Sequence, residues 1–392
     1  MENWTLDSNA LLEANRYFKL SDGRLGDLMV LCERLQTDAA LHALAGAYHK
    51  AFFHTDEETN ETARRLREET EPALGGRWGA LAALIMISGL PHMLEAYRKR
   101  GIPGEALVDS LRDMTIWMDE YEAQTGVTGL GEACWLAQSL RGVLFRIGRF
   151  QFFNSTFEEP IAVAERLGGG SPAAFFTVPV RMRGDGQADG ANGVFDEERG
   201  WLTSFRANEA EIAGTPLHPG GYALNRELRL PAGEWELTVR PGVSMLDIHI
   251  PKDGKMELDA CRDSILNALR FFETYFPEKP VSVIHLCTWF LDPQLQRLLP
   301  PESNIVRLQR EFYLLPVPGA DDRMCLERVF GSADIDIESA PEDSSLRRAV
   351  KRFMLGGGRM RESRGLILPR DLKNFGNAQY QRSAFPLPVG FQ

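Results

Sequence analysis

The chain has 392 residues, of which 44% are hydrophobic and 25% charged, the composition of an ordinary soluble globular protein of two or three domains. Its formal net charge of −11 argues against a nucleic-acid partner, because the phosphate backbone attracts a positive surface. Five scattered cysteines without a C-x-x-C pair exclude a recognisable zinc knuckle or disulfide framework and indicate a reducing compartment.

The first residues, MENWTLDSNA, form neither a basic nor an apolar leader segment, so the sequence predicts a cytoplasmic protein. The longest apolar run, WGALAALIMISGL from Trp78, is shorter than the roughly 20 residues of a membrane span. We therefore expect a buried helix there and no membrane partner.

Apolar residues recur at three- and four-residue spacing from Gly26 to about Ile147, which predicts a series of helices. Gly101 and Gly126 lie between these segments, where helices stop. The sequence thus predicts a helical N-terminal domain over residues 1–143.

From about Phe145 the pattern changes to short alternating or apolar runs separated by Gly and Pro, which predicts strands. The strand SMLDIHI, an amphipathic helix and the strand VSVIHLC form a βαβ unit, so we expect the two strands to be parallel and adjacent or nearly so. SNIVRLQREFYLLP is predicted to be a further strand, and RGDGQADGANG an exposed hairpin tip. We assign residues 144–376 to this second domain and residues 377–392 to a C-terminal tail.

The loop PKDGKM after the first strand of the βαβ unit is a candidate anion site. A helix N-terminus favours an anion, Gly254 lets the backbone approach it, and Lys252 and Lys255 add positive charge. The loop lacks the earlier Gly and the Ser or Thr of a Walker A motif, so an ATPase is not indicated. Glu257 and Asp259 at the helix start would repel phosphate, and ordinary capping stays open as the alternative.

Two histidines near the ends of the parallel strands are candidates for general base catalysis. His249 shares a strand face with Asp247, and His285 occupies the neighbouring strand. If the two faces coincide, two imidazoles and a carboxylate converge, and histidine can accept a proton near neutral pH. The alternative is a hydrogen-bonded core histidine at either position.

Two further features have structural alternatives of their own. Trp289 at the end of the second parallel strand is either a pocket wall or a core residue. Asp292 before Pro293 predicts a helix N-cap. DGQADGANGVFD comes close to the spacing of an EF-hand calcium loop, but Gln at its third position favours a hairpin tip over a calcium-dependent binding protein.

The order of these elements resembles the GNAT acyltransferase fold. The phrases LDIHIP, WFLDPQL and SNIVRLQREF look more closely like a bacterial acyltransferase-like family with a helical N-terminal domain and a GNAT-like C-terminal domain. The resemblance implies an α+β fold, in which a helical N-terminal domain is followed by a GNAT-like mixed β-sheet domain with flanking helices. It also implies an acyl-CoA-dependent N-acyltransferase that moves an acyl group from acetyl-CoA or another acyl-CoA to an unidentified small-molecule amine, without a metal.

The resemblance also implies which residues hold coenzyme A. Backbone N–H groups near Gly254, Lys255 and Met256 would contact the pyrophosphate, and the pantetheine arm would lie between the strands that carry His249 and His285. The predicted cofactor-binding set is Ile248, Ile250, Lys252, Gly254, Lys255, Met256 and Trp289. The resemblance also implies a base for the amine; we predict His285 or His249 for it, with Asp247 as the orienting carboxylate, although no family motif fixes these roles. The sequence departs from the Arg/Gln-x-x-Gly-x-Gly/Ala pattern of GNAT loops, because the loop has one Gly, and no thiolate-protonating Tyr is evident. A catalytically inactive GNAT-like module that binds a ligand or a protein partner is therefore the alternative.

Overall fold

The computed structural model describes residues 6–382. Within them the chain forms two compact units. The first comprises the described residues up to Phe153 with Ile250–Gly254 and Thr274–Phe276, and the second comprises Asn154–His249, Lys255–Glu273 and the described residues from Pro277 onward. The domain boundary at residue 143 stays a prediction, and residues 383–392 of the predicted tail lie outside the described residues.

The first unit is helical as far as residue 140. Its helices are α1 (Ser8–Phe18), α2 (Asp22–Thr37), α3 (Ala39–Phe53), α4 (Thr59–Leu74), α5 (Trp78–Ser88), α6 (Leu90–Arg100), α7 (Gly104–Thr125) and α8 (Ala133–Leu140). Gly101 and Gly126 end α6 and α7 in the left-handed conformation, which confirms their prediction as helix stops.

Helix α5 is buried along its whole length from Trp78 to Ile87, as predicted. The stretch Thr59–Arg100 contains one window that is long and apolar enough to cross a membrane, with a mean hydropathy of 1.4, but 72% of that window is buried inside the protein. That burial is typical of a core helix. Close packing requires glycine at position 79, because a Cβ there would lie 2.4 Å from the ring of Tyr121.

The helices lead into a β-hairpin of strands β1 (Leu144–Ile147) and β2 (Phe150–Thr156). Ile147 pairs with Phe150, so two residues form the turn, and Gly148 adopts a φ of 67° there. The hairpin places Arg146 within β1 and Arg149 at the second turn position.

The second unit contains both helices and several β-sheets. Its strands are β3 (Ile161–Arg166), β4 (Ala173–Phe176), β5 (Arg181–Met182), β6 (Trp201–Leu202), β7 (Phe205–Ala207), β8 (Glu211–Gly214), β9 (Pro216–His218), β10 (Tyr222–Ala223), β11 (Leu228–Pro231), β12 (Trp235–Val239), β13 (Ser244–His249), β14 (Val283–Thr288), β15 (Tyr313–Leu315) and β16 (Ser363–Ile367). The helices, in chain order, are α9 (Leu258–Tyr275), α10 (Leu295–Leu298), α11 (Asn304–Gln309), α12 (Arg323–Phe330), α13 (Ser345–Leu355) and α14 (Gln379–Arg382).

Strand pairing within the second unit is mixed. β13 and β14 are parallel neighbours, whereas β16 pairs antiparallel with both β14 and β15. The strands β10, β9, β4, β3 and β12 form a separate five-stranded antiparallel sheet in that order. The predicted βαβ unit of β13, α9 and β14 is therefore confirmed.

The predictions for two segments of the second unit, the strand from Ser303 and the exposed hairpin tip, are wrong. The segment predicted as a strand from Ser303 begins as α11, because the Ser303 hydroxyl caps the helix by accepting a hydrogen bond from the Val306 N–H; only Tyr313–Leu315 is a strand. The predicted exposed tip is packed: Ala188 and Ala191 are buried.

Candidate active site

The candidate site lies on adjacent parallel strands of the second unit. Asp247 of β13 is paired in register with His285 of β14. Because side chains alternate along a strand, Asp247 and His249 share one face, while Ile248 between them is buried on the other face. The sheet register therefore brings together the two histidines and the carboxylate. The two strand faces coincide, which was the condition stated for this convergence.

Both oxygens of the Asp247 carboxylate bind an imidazole. His285 Nδ1 lies 2.7 Å from Oδ1, and His249 Nε2 lies 3.1 Å from Oδ2. The environments of the two histidines differ: the His285 side chain is 6% exposed, whereas that of His249 is 34% exposed. Burial by itself would raise the pKa of Asp247, but hydrogen bonds from His249 and His285 outweigh it and hold that pKa well below its ordinary value.

An ionised Asp247 fixes the tautomer of His285. The carboxylate only accepts hydrogen bonds, so it holds the proton of the neutral ring on Nδ1 and leaves the lone pair on Nε2. The His285 Nε2 atom is buried and has no hydrogen-bond partner within residues 6–382. The ring of Phe157 packs edge-on against His285 at a centroid distance of 6.0 Å. An oriented imidazole with an unused acceptor is the arrangement of a general base.

Cys287 is the nucleophile closest to this pair along β14, on the same face as His285. Burial raises the pKa of its thiol to about 11, with opposing electrostatic effects from Arg364 and from nearby carboxylates. At pH 7 this thiol is almost wholly protonated, so it is a poor nucleophile.

The loop after β13 has the conformation that its single glycine allows. Gly254 adopts a φ of 78°, which residues with a Cβ rarely adopt. Lys252 is exposed, and its Nζ lies 2.9 Å from Glu120; Lys255 is exposed and Met256 buried. Ile250 is half-buried. The 18-residue helix α9 follows the loop.

Two arginines of the β1–β2 hairpin contact this loop, and sequence reasoning missed both. Arg146 donates from Nη2 to both Asp253 oxygens at 2.8 Å. Arg149 donates to the carbonyl oxygens of Pro251 and Gly254 at 3.2–3.3 Å. These contacts join residues more than a hundred positions apart, and only the arginine spacing in FRIGRF could have drawn attention to them.

Trp289 and Asp292 are structural. Trp289 is 4% exposed and belongs to a core cluster with Leu295 and Val306. Of the two alternatives for Trp289, pocket wall or core residue, the structure shows the core residue. Asp292 is fully buried and accepts hydrogen bonds from the backbone N–H groups of Gln294 and Arg361 at 3.0 Å. Gln294, not Asp292, is the residue before α10, so the predicted N-cap is wrong. Burial raises the pKa of Asp292.

The loop with calcium-like spacing has its carboxylates engaged by arginines. Asp189 pairs with Arg181 at 2.9 Å, and Asp185 pairs with Arg183 at 3.0 Å. Within the described part of the chain, no three His, Cys, Asp or Glu side chains are arranged to hold a metal ion.

Comparison with known families covers both parts of the chain. Residues 144–367, more than half of the chain, match the GNAT-like C-terminal domain. Residues 10–142 match the N-acyltransferase N-terminal domain. No curated protein matches the chain.

Solved acyltransferase structures share the fold across nearly the whole chain. One with decanoyl-CoA and teicoplanin bound is 20% identical, with a TM-score of 0.62 over 94% of this chain and 90% of its own. An acyltransferase mutant with octanoyl-CoA bound is 20% identical, with a TM-score of 0.61 over 94% of this chain and 91% of its own. A third, with decanoyl-CoA bound, is 19% identical, with a TM-score of 0.55 over 93% of this chain and all of its own.

The two family matches confirm the predicted resemblance and the α+β fold class of a helical N-terminal region followed by a mixed-sheet domain. They also confirm the prediction of an N-acyltransferase at the level of the family. The chain therefore belongs to the N-acyltransferases that have a GNAT-like C-terminal domain.

Proposed function

We propose that this enzyme transfers an acyl group of medium length from coenzyme A to a primary amine, with His285 as the general base. The observation that carries the proposal is the buried His285–Asp247 pair, in which the Nε2 lone pair of the imidazole is unused. Family membership supplies the reaction class.

In the proposed reaction, His285 Nε2 takes a proton from the amine as its nitrogen attacks the thioester carbonyl. The new C–N bond forms, the C–S bond breaks, and the proton passes from the imidazolium to the departing thiolate. Amine and acyl-CoA thus give amide and free coenzyme A. Asp247 stabilises the transient imidazolium because it presents a carboxylate oxygen 2.7 Å from Nδ1. His249 keeps the second carboxylate oxygen engaged.

The donor is proposed to bind through its pyrophosphate at the loop that contains Gly254. A positive φ at Gly254 and the positive charge of the exposed Lys252 suit an anion. The octanoyl-CoA and decanoyl-CoA in the solved acyltransferases favour an eight- to ten-carbon donor over the acetyl-CoA of our sequence prediction. Teicoplanin in one of them favours an acceptor larger than a simple metabolite. Five free thiols support the proposed cytoplasmic location.

Calorimetric titration with free coenzyme A and with acetyl-, octanoyl- and decanoyl-CoA tests the donor. We expect micromolar binding that is tightest for the two longer chains. Release of free thiol in the presence of a panel of primary amines, with teicoplanin included, then tests transfer. No binding of any of the four compounds would favour the inactive ligand-binding module.

His285→Ala tests the base. We expect a loss of about 10²–10⁴-fold in kcat, the usual contribution of general base catalysis, with coenzyme A affinity unchanged within several-fold. His42→Ala, in helix α3 of the first unit, is the matched control and should keep full activity. Full turnover by His285→Ala would remove this residue from the mechanism.

A further inference from the structure

The β1–β2 hairpin presents two arginines to the segment Ile250–Gly254, and the arginines and this segment belong to the first unit. Arg146 lies in β1, and Arg149 follows it after the two residues Ile147 and Gly148. One guanidinium binds a side chain of the loop, whereas the other binds its backbone.

Arg146 fixes the acidic residue of the loop. Its side chain is 6% exposed, and the single nitrogen Nη2 donates to both Asp253 oxygens, at 2.8 Å to each. The same guanidinium lies 3.4 Å from Asp113, whose other oxygen accepts from Gln151. A planar guanidinium with two carboxylate partners restricts the orientation of Asp253. It also compensates a negative charge that would otherwise oppose phosphate binding at this loop.

Arg149 fixes the backbone at both ends of the loop. Its guanidinium donates to the carbonyl of Pro251 at 3.2 and 3.3 Å and to that of Gly254 at 3.3 Å. No peptide bond among the described residues is cis, and in a trans peptide the C=O and the following N–H point in opposite directions. Because the carbonyls of Pro251 and Gly254 face Arg149, the N–H groups of Lys252 and Lys255 face away from it. Two backbone donors therefore point to the side opposite the guanidinium.

We propose that Arg149, assisted by Arg146, is a positioning residue that holds this loop in the conformation that binds the pyrophosphate of coenzyme A. The proposal rests on the proposed function. It explains how a loop with one glycine retains a phosphate-binding shape: contacts from the hairpin impose the conformation that a second glycine would otherwise permit.

The test uses the 392-residue chain and three substitutions, Arg149→Ala, Arg149→Lys and, as control, Arg98→Ala. Arg98 is an exposed arginine of α6 in the same unit, paired only with its helical neighbour Glu95 among the described ion pairs. Two quantities are measured for each: the Kd of free coenzyme A by calorimetry, and hydrogen exchange of the backbone amides of residues 250–258 in the ligand-free protein. Arg149→Gln, which keeps one donor, replaces Arg149→Ala if the alanine variant does not fold.

We expect Arg149→Ala to weaken coenzyme A binding at least tenfold and to accelerate loop exchange, and Arg98→Ala to change neither. We expect Arg149→Lys to stay weakened, because a single ammonium cannot match the planar fork that binds both carbonyls. Unchanged affinity in Arg149→Ala overturns the proposal. So does lost affinity with unchanged exchange, which would indicate direct phosphate contact, and so does full recovery by Arg149→Lys, which would indicate charge alone. Absence of coenzyme A binding in the unsubstituted enzyme would instead overturn the proposed function on which this inference rests.

Discussion

Asp247→Asn is the substitution that most directly tests how the carboxylate orients His285. The shape of the side chain is preserved, but an amide has one acceptor oxygen and one NH₂ donor. Both Asp247 oxygens accept from histidines, so one imidazole must face the new NH₂ group. If that ring is His285, it presents Nδ1 as an acceptor and moves its proton to Nε2, where the reaction requires a lone pair.

Two effects of Asp247→Asn are expected, a fall in Tm and a fall in kcat. Loss of one charge-assisted hydrogen bond costs about 1.5–3 kcal/mol, and the 20% exposure of the Asp247 side chain places it in a mostly buried setting. For a unit of about 200 residues, each kcal/mol lowers Tm by about 2–4 °C, so we expect a fall of about 3–12 °C. Catalysis should fall by about 10²–10⁴-fold in kcat, because in either orientation of the amide the proposed base loses the carboxylate that stabilises its imidazolium. When the NH₂ group faces His285, the ring is also held in the wrong tautomer.

The assay measures coenzyme A release under saturating donor, together with thermal unfolding. Asp334→Asn is the matched control, since that side chain is 86% exposed and lies 3.6 Å from Arg323; it should leave both quantities unchanged. Wild-type kcat in Asp247→Asn would refute the proposed support of His285 by Asp247, whatever the change in Tm.

The same pair predicts a pH dependence of stability. Because the folded protein holds the pKa of Asp247 below its ordinary value, ionised Asp247 stabilises the fold above about pH 4, the usual carboxyl pKa. This contribution is lost as the pH falls through the folded-state pKa. The difference in unfolding free energy between wild type and Asp247→Asn, measured in urea, should therefore shrink between pH 5 and the acid limit of folding. A constant difference in unfolding free energy over that pH range would contradict this prediction.

Three other substitutions have definite expected outcomes. Gly254→Trp should weaken coenzyme A binding severely, because a bulky residue must adopt a φ of 78° in the proposed phosphate loop; unaltered affinity in calorimetry would place the cofactor elsewhere. Cys287→Ala should keep kcat within several-fold, because a thiol with a pKa of about 11 is ionised in only about one molecule in ten thousand at pH 7; an acylated Cys287 detected by mass spectrometry would contradict direct transfer. Gly79→Ala should cost about 1–3 kcal/mol in thermal unfolding from its collision with Tyr121, whereas Gly104→Ala, with no atom within 4 Å of its new Cβ, should cost nothing.

The sequence predicted the parts of the site that depend on strand periodicity. A period of two places Asp247 and His249 on one face, and the crossover helix makes the next strand parallel, so the meeting with His285 needed only the register. The register itself is a tertiary property, and it decides that Asp247 lies opposite His285 rather than one residue away.

The features that the sequence did not predict depend on competition between local helix and strand preferences or on contacts between residues far apart in the chain. Around Ser303 the β-branched Ile305 and Val306 suggested a strand, but the serine cap starts a helix. Arg146 and Arg149 meet the loop only after the chain has folded through more than a hundred intervening residues. No local pattern in the sequence specifies such a contact.

The direct pairing of Asp247 with His285 has a consequence for engineering. The proposed base His285 and the carboxylate of Asp247 are both anchored in neighbouring strands by main-chain pairing, and neither depends on a surface loop for its placement. Loops can therefore be exchanged to accommodate new acceptors without re-optimising the proton-transfer pair. Directed evolution of acceptor range in this enzyme can leave β13 and β14 constant and concentrate its diversity in the connecting segments.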